Sequence, residues 1–167
     1  MPTCPRCKTR LVHQAPQWGG FERLLSLLTV YPFRCQLCTH RFLAFLWRYS
    51  ASPRREYDRI PAQCPVTLYP PAAEHRDEEA QGTAVNLSIT GCLLETNAQV
   101  PPGTHVRLTI HPSGPLPPIE VEDAVVRAVL ENRLGVEFSK IAPEEAQRLR
   151  VFMEAHLLCR PAVNRPG

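Results

Sequence analysis

Four cysteines set in two close pairs, Cys4-Pro5-Arg6-Cys7 and Cys35-Gln36-Leu37-Cys38, constrain this chain more than any other feature. The segment that carries them ends near Tyr49. A piece so short cannot bury enough apolar surface to be stable alone and needs a staple. Four thiolates are the ligand set of a tetrahedral structural metal site, and they leave no open position for catalysis. The 27 residues between the pairs exceed the roughly 15–20 of the commonest zinc spacing. A short helix over residues 21–28, after Gly19-Gly20, absorbs the excess: Phe21, Leu24, Leu25 and Leu28 recur at helical spacing and share one face. Zinc is the expected ion, with an iron–sulfur or redox centre as the lesser alternative. His13 and His40 lie near the pairs and could each replace a thiolate, but four cysteines already complete the set. Cys64, Cys92 and Cys159 stand singly and read as small apolar residues.

The small-residue stretch Ser50-Ala51-Ser52-Pro53 marks a joint. It divides the chain into a metal-stapled module at 1–49, a linker at 50–53, a second domain at 54–159 and a tail at 160–167. Charge follows the same division. Residues 1–53 carry seven Lys/Arg and one Glu, whereas residues 54–167 carry twelve Lys/Arg and fifteen Asp/Glu. A basic module joined to a mildly acidic one suggests different partners for each, although a solvated basic face explains the excess equally well. No apolar run reaches the roughly 20 residues that span a bilayer. Met1-Pro2-Thr3-Cys4 has no secretory pattern, so no membrane insertion and a cytoplasmic location are expected. No H-E-x-x-H, phosphate-loop glycine pattern or G-x-S-x-G elbow is present, and the six histidines are scattered, so an enzyme is not expected.

Beyond the joint, apolar residues alternate at the period of half-buried strands. Val66 and Leu68 do so, as do Val106, Leu108 and Ile110, and Leu134, Val136 and Phe138. Turn residues separate these runs at Pro70-Pro71, Pro101-Pro102-Gly103, Pro112-Ser113-Gly114-Pro115 and Glu131-Asn132. Glu74 to Glu79 reads as a solvated acidic loop. The pattern predicts a small barrel or sandwich. A closing helix starts at Pro143, with Glu144 and Glu145 complementing its dipole. Ala146, Leu149, Phe152, Met153 and Leu157 form its apolar face.

Two phrases of the second domain carry binding chemistry: Arg55-Glu56-Tyr57-Asp58-Arg59 and Asn86-Leu87-Ser88-Ile89-Thr90-Gly91. Strand alternation puts Asn86 and Ser88 on one side and Val85, Leu87 and Ile89 on the other. Gly91, where the chain turns, allows positive φ and close approach of backbone to a bound group. Arginine both grips a guanine edge bidentately and clamps phosphate. Arg54, Arg55 and Arg59 precede the first strand and are free to fold over a ligand resting on Asn86 and Ser88. Taken singly, each phrase also fits a plain turn with solvated arginines.

The pair of phrases resembles the PilZ domain family, bacterial receptors for cyclic di-GMP. The family pattern is R-x-x-x-R before the first strand and (D/N)-x-S-x-x-G some thirty residues later. Arg55 and Arg59 match the first, and Asn86, Ser88 and Gly91 match the second. The resemblance covers about residues 53–159 and extends to Gly135-Val136-Glu137-Phe138 as a closing strand. It implies a mainly β fold, a six-stranded Greek-key barrel with the C-terminal helix across one mouth. It implies that Arg55 and Arg59 grip guanine and phosphate while Asn86 and Ser88 bond a second guanine edge and the phosphate, with Arg54 as a third arginine contact. The first module resembles a zinc ribbon, with Cys-Pro-x-Cys-Lys and Cys-x-x-Cys-x-x-Arg-Phe as its knuckles. That implies structural zinc on Cys4, Cys7, Cys35 and Cys38, and contact with protein or nucleic acid. Arg6, Lys8, Arg10, Arg23, Arg34, Arg41 and Arg48 lie near Trp18, Phe33 and Trp47, a mixture that suits a single-strand platform but more often makes a small core with solubilising charge. Protein contact or a purely structural role is therefore favoured over nucleic acid. Sixteen residues separate Cys38 from Arg55, so ligand binding is expected to order that loop and couple to the ribbon. The rival expectation is a nucleic-acid-binding ribbon protein whose barrel is only structural.

Overall fold

A computed structural model of the protein describes residues 2–46, 57–70 and 79–158. It divides into two compact units, residues 1–58 and residues 59–167. The linker expected at 50–53, the tail and Cys159 lie outside the described residues, as does the acidic loop up to its last residue, Glu79.

In the first unit β1 (Val12–Gln14), β2 (Val30–Cys35) and β3 (Arg41–Phe45) form an antiparallel sheet in the order β1-β2-β3. Cys35 ends β2 opposite Val12, and Arg34 lies level with both His13 and Arg41. The sheet thus delivers the second cysteine pair beside the segment leading from the first. Among the described residues the buried side chains are few: Cys4, Ala15, Pro32, Phe33, Cys35, Leu37 and Cys38, with the polar Gln14 and Gln36. The expected helix is present as α1 (Gly19–Ser26). Its entry is fixed by the Glu22 carboxylate, which accepts the Trp18 N–H and pairs with Arg41 at 2.7 Å. No residue of α1 is buried. Trp18, Phe21, Leu24, Leu27 and Leu28 are all exposed, so the apolar face legible in the sequence does not serve as core.

The second unit is a closed barrel of β4 (Ile60–Tyr69), β5 (Ala80–Ser88), β6 (Gly91–Thr96), β7 (His105–Ile110), β8 (Ile119–Leu130) and β9 (Arg133–Lys140). The strand order is β4-β5-β6-β9-β8-β7, with β7 closing on β4, a Greek-key arrangement. Inward alternation along β4 and β7 fills the interior with Val66, Leu68, Val106, Leu108 and Ile110. Each such fully buried side chain contributes roughly 1.5–3 kcal/mol. The C-terminal helix α2 (Pro143–Leu158) packs on β8 and β4. Leu149, Phe152 and Met153 of α2 are buried. Ala146 and Leu157, expected on the same face, are only half-buried. Glu145 secures the helix start by accepting the Glu120 N–H at 3.1 Å.

One register expectation is corrected. A bulge interrupts the β5–β6 pairing between Ala84 and Asn86, where Ala84 faces Leu94 but Asn86 already faces Leu93. The extra residue shifts the alternation. Ala84, not Val85, joins Leu87 in the core; Val85 is half-exposed and Ile89 belongs to the turn.

Candidate functional site

Two local motifs build the cysteine cluster, and they are near copies. In each, the first cysteine donates its N–H to the carbonyl five residues on, Cys4 to Thr9 and Cys35 to His40, both at 2.9 Å. In each, the residue after the second cysteine is left-handed, Lys8 at φ 60° and Thr39 at φ 58°. This curls the backbone around its sulfurs, so that Leu37 and Cys38 aim their N–H groups at Cys35 Sγ at 3.4 and 3.5 Å. Cys4 and Cys38 Sγ lie 3.6 Å apart, Cys7 and Cys35 Sγ 3.5 Å apart, and all four sulfurs fall within 4.8 Å of one another. A disulfide needs about 2.05 Å. A tetrahedron with bonds of about 2.3 Å to a central zinc has edges of about 3.8 Å. The spacing suits a shared ion, not a crosslink.

Electrostatics agree with the geometry. Burial pushes the Cys35 and Cys38 thiols up. Burial also opposes ionisation of Cys4, but the N–H groups of Cys7 and Arg6 outweigh it and bring that thiol down to about 7. Sulfurs this close cannot all ionise without a cation among them. The group contains no histidine; the His40 ring stacks 6.1 Å from Phe42 instead. The donors present fit a soft divalent ion held entirely by sulfur.

In the second unit, β4–β5 pairing brings the two binding phrases together. Ile60 pairs with Leu87 and Pro61 with Asn86, so extending the register by one residue sets Arg59 level with Ser88. Ile60 and Leu87 turn into the core, whereas Arg59 and Pro61 are exposed. Asn86 is half-buried. Ser88 is buried, and its hydroxyl donates to the Gly91 carbonyl at 2.9 Å. Its proton is thereby committed to the turn, and its oxygen keeps its acceptor capacity. Arg54 and Arg55 lie outside the described residues.

Gly91 departs from expectation. It does not adopt positive φ. A Cβ there would stand 2.3 Å from the Val136 carbonyl and 3.2 Å from the Glu137 Cα. Glycine is required because β6 and β9 approach too closely for any side chain, so the close approach is between strands.

Gln36, given no role in the sequence reading, surrounds the middle of the arginine phrase together with Arg34 and His13. Within the first unit, Arg34 Nη1 donates to the Tyr57 hydroxyl at 2.9 Å, and its guanidinium lies 5.7 Å from the Tyr57 ring centre. The Asp58 N–H donates to Gln36 Oε1 at 2.6 Å, and His13 Nε2 lies 3.1 Å from the Asp58 carboxylate. The only sequence hint was an amide inside a Cys-x-x-Cys loop. Of the basic and aromatic residues near the cysteine pairs, Phe33 is core, Arg41 is paired with Glu22 and lies 4.2 Å from the Trp18 ring centre, and Trp47 and Arg48 lie outside the described residues.

Comparison with known proteins adds the family context. The family model for the PilZ domain matches residues 53–155. Among solved structures, the chain is similar to the inhibitor of motility MotI/DgrA of Bacillus subtilis, with 20% identity, 79% of this chain and 70% of that chain covered, and a TM-score of 0.53. It is also similar to the PilZ domain of CeSA from a cellulose-synthesizing bacterium, at 18% identity over 59% of this chain and 97% of that one, with a TM-score of 0.46. A third is the PilZ domain of YcgR from Escherichia coli, solved with c-di-GMP, at 18% identity over 61% of this chain and 91% of that one and a TM-score of 0.48. At such identities these likenesses bear on fold alone. A comparison with the curated proteins finds no match.

Proposed function

Because the chain belongs to the PilZ domain family, with residues 53–155 matching its model, we propose that it is a cyclic di-GMP receptor whose ligand is read by the arginine and asparagine–serine phrases. The observation that supports this is the β4–β5 register, which brings exposed Arg59 within two positions of the residue paired with half-buried Asn86, beside the inward pair Ile60 and Leu87. Arg59, joined by Arg55 and Arg54, supplies bidentate and stacking contacts to guanine and charge-assisted bonds to phosphate. The Asn86 amide offers both donor and acceptor to a second guanine edge, and the Ser88 oxygen accepts from it. Gly91 contributes through the close β6–β9 approach it permits beside Ser88. The protein binds and signals; it catalyses nothing in this reading, and it works in the cytoplasm.

The first unit holds structural zinc on Cys4, Cys7, Cys35 and Cys38, which supplies folding energy and no reaction chemistry. Among the described residues, no helix is long and apolar enough to cross a membrane. The exposed Trp18, Phe21, Leu24, Leu27 and Leu28 favour a protein partner on this unit, since apolar surface of this kind marks interaction sites. Nucleic acid is disfavoured, because Arg34 and Arg41 are engaged within the unit and Phe33 is core.

Equilibrium dialysis of the zinc-loaded chain against labelled cyclic di-GMP tests the ligand. Saturable binding displaced by unlabelled cyclic di-GMP but not by GMP or cyclic di-AMP is expected. Equal displacement by all three would reject guanine-specific recognition of a cyclic dinucleotide.

A further inference from the structure

The geometry points to Gln36 and Arg34 as positioning residues for the ligand site. The loop of the second cysteine pair grips Tyr57 and Asp58, fixes the backbone from which Arg59 reaches its ligand, and so makes ligand affinity depend on metal loading. The inference rests on the reading of Arg59 as a cyclic di-GMP contact.

Gln36 sits between Cys35 and Cys38 and is 1% exposed. Its own N–H donates to the Leu11 carbonyl at 2.9 Å, and its side-chain Nε2 lies 3.4 Å from the Arg34 carbonyl. Burying a primary amide is unfavourable unless its polar atoms are bonded. Here the amide oxygen takes the Asp58 N–H at 2.6 Å. The metal-organised loop therefore reaches across to a residue 22 positions later in the chain.

Arg34, the residue before Cys35, adds a second contact on the neighbouring residue. It bonds the Tyr57 hydroxyl and lies over its ring, while also lying 5.9 Å from the Trp18 ring at the start of α1. His13, opposite Arg34 in the sheet, meets the Asp58 carboxylate. Three side chains thus converge on two consecutive residues. The next residue is Arg59, which follows directly on a residue held by the cysteine loop. The backbone leading into Arg59 loses freedom when the cysteine loop folds on its metal, not when the ligand arrives, and affinity rises accordingly. Without metal the loop has no reason to hold Gln36 in place, and the anchor on the Asp58 side is lost.

The test uses the full zinc-loaded chain with Gln36→Leu and Tyr57→Phe. Gln36→Leu keeps the volume and removes the acceptor. Tyr57→Phe keeps the ring, removes the hydroxyl and lies outside the cysteine loop, so it remains informative if Gln36→Leu disturbs the metal site. Zinc content, hydrogen exchange at the Asp58 amide without ligand, and cyclic di-GMP affinity are measured together. The expectation is full zinc in Tyr57→Phe, Asp58 exchange about tenfold faster in Gln36→Leu, and Kd weakened about fivefold by each change, the scale of one hydrogen bond. Asp58 exchange at one common rate in wild type, Gln36→Leu and zinc-stripped protein would overturn the proposal. So would wild-type affinity in both variants. Exchange that responds as expected in a wild-type chain with no affinity for cyclic di-GMP upholds the grip and overturns the functional reading instead.

Discussion

Leu24 on α1 is 61% exposed and Leu108 on β7 is 1% exposed, and the two leucines summarise how differently the units are held together. The barrel closes on itself, leaves no free strand edge and buries apolar side chains from every strand. The first unit has a three-stranded sheet, three of its described buried residues are cysteines, and its helix turns its apolar side chains outward. One unit is stabilised by apolar burial. The other, in the proposed reading, depends on four sulfurs and the ion they would hold, and its helix leaves its apolar side chains exposed.

The largest expected effect comes from breaking the metal site. Cys35→Ser, or chelation, should remove on the order of 10 kcal/mol of metal-linked folding free energy. Proteolysis should then degrade residues 2–46 while the barrel still melts cooperatively. Loss of both units together would show that the contrast is false. On the barrel side, Leu108→Ala should cost about 2–5 kcal/mol, read as a lower melting temperature with zinc content unchanged. Gly91→Ala should cost about 3 kcal/mol, the upper end of overpacking, because its Cβ would meet the Val136 carbonyl. The loss should be the same with and without ligand; a variant of normal stability but lost binding would return Gly91 to the ligand. The smallest effect sharpens the comparison most. Leu24→Ala should change the stability of the first unit by less than about 0.5 kcal/mol, measured by metal-dependent unfolding, although the same exchange at Leu108 is severe.

Much of this was legible in the residues. Strand alternation in β4, β7 and β9 needs only a dry face and a wet one, and the sequence displays it at Val66, Leu108 and Leu134. Pro143 marks the first residue of α2 because its fixed φ and missing N–H suit that position. The cysteine spacing announced the cluster. Three things were not legible. The bulge at Val85 carries no glycine or proline to signal it, and one inserted residue moves the inward position before Leu87 from Val85 to Ala84. The exposure of α1 is a property of what fails to pack on it, which helical periodicity does not encode. The grip on Tyr57 and Asp58 joins residues more than twenty positions apart through hydrogen bonds, and neither spacing nor composition specifies such a pairing. Arg59, Asn86 and Ser88 were legible as types, but their alignment came only with the β4–β5 register.

Titration calorimetry of the zinc-loaded chain with cyclic di-GMP, beside Arg59→Ala, tests the central claim most directly. The account predicts a saturable heat for the wild type and a loss of about 1.5–3 kcal/mol of binding free energy in the variant, as for a hydrogen bond to a charged group. No heat from the wild type at tens of micromolar, or the same affinity in both proteins, would contradict it.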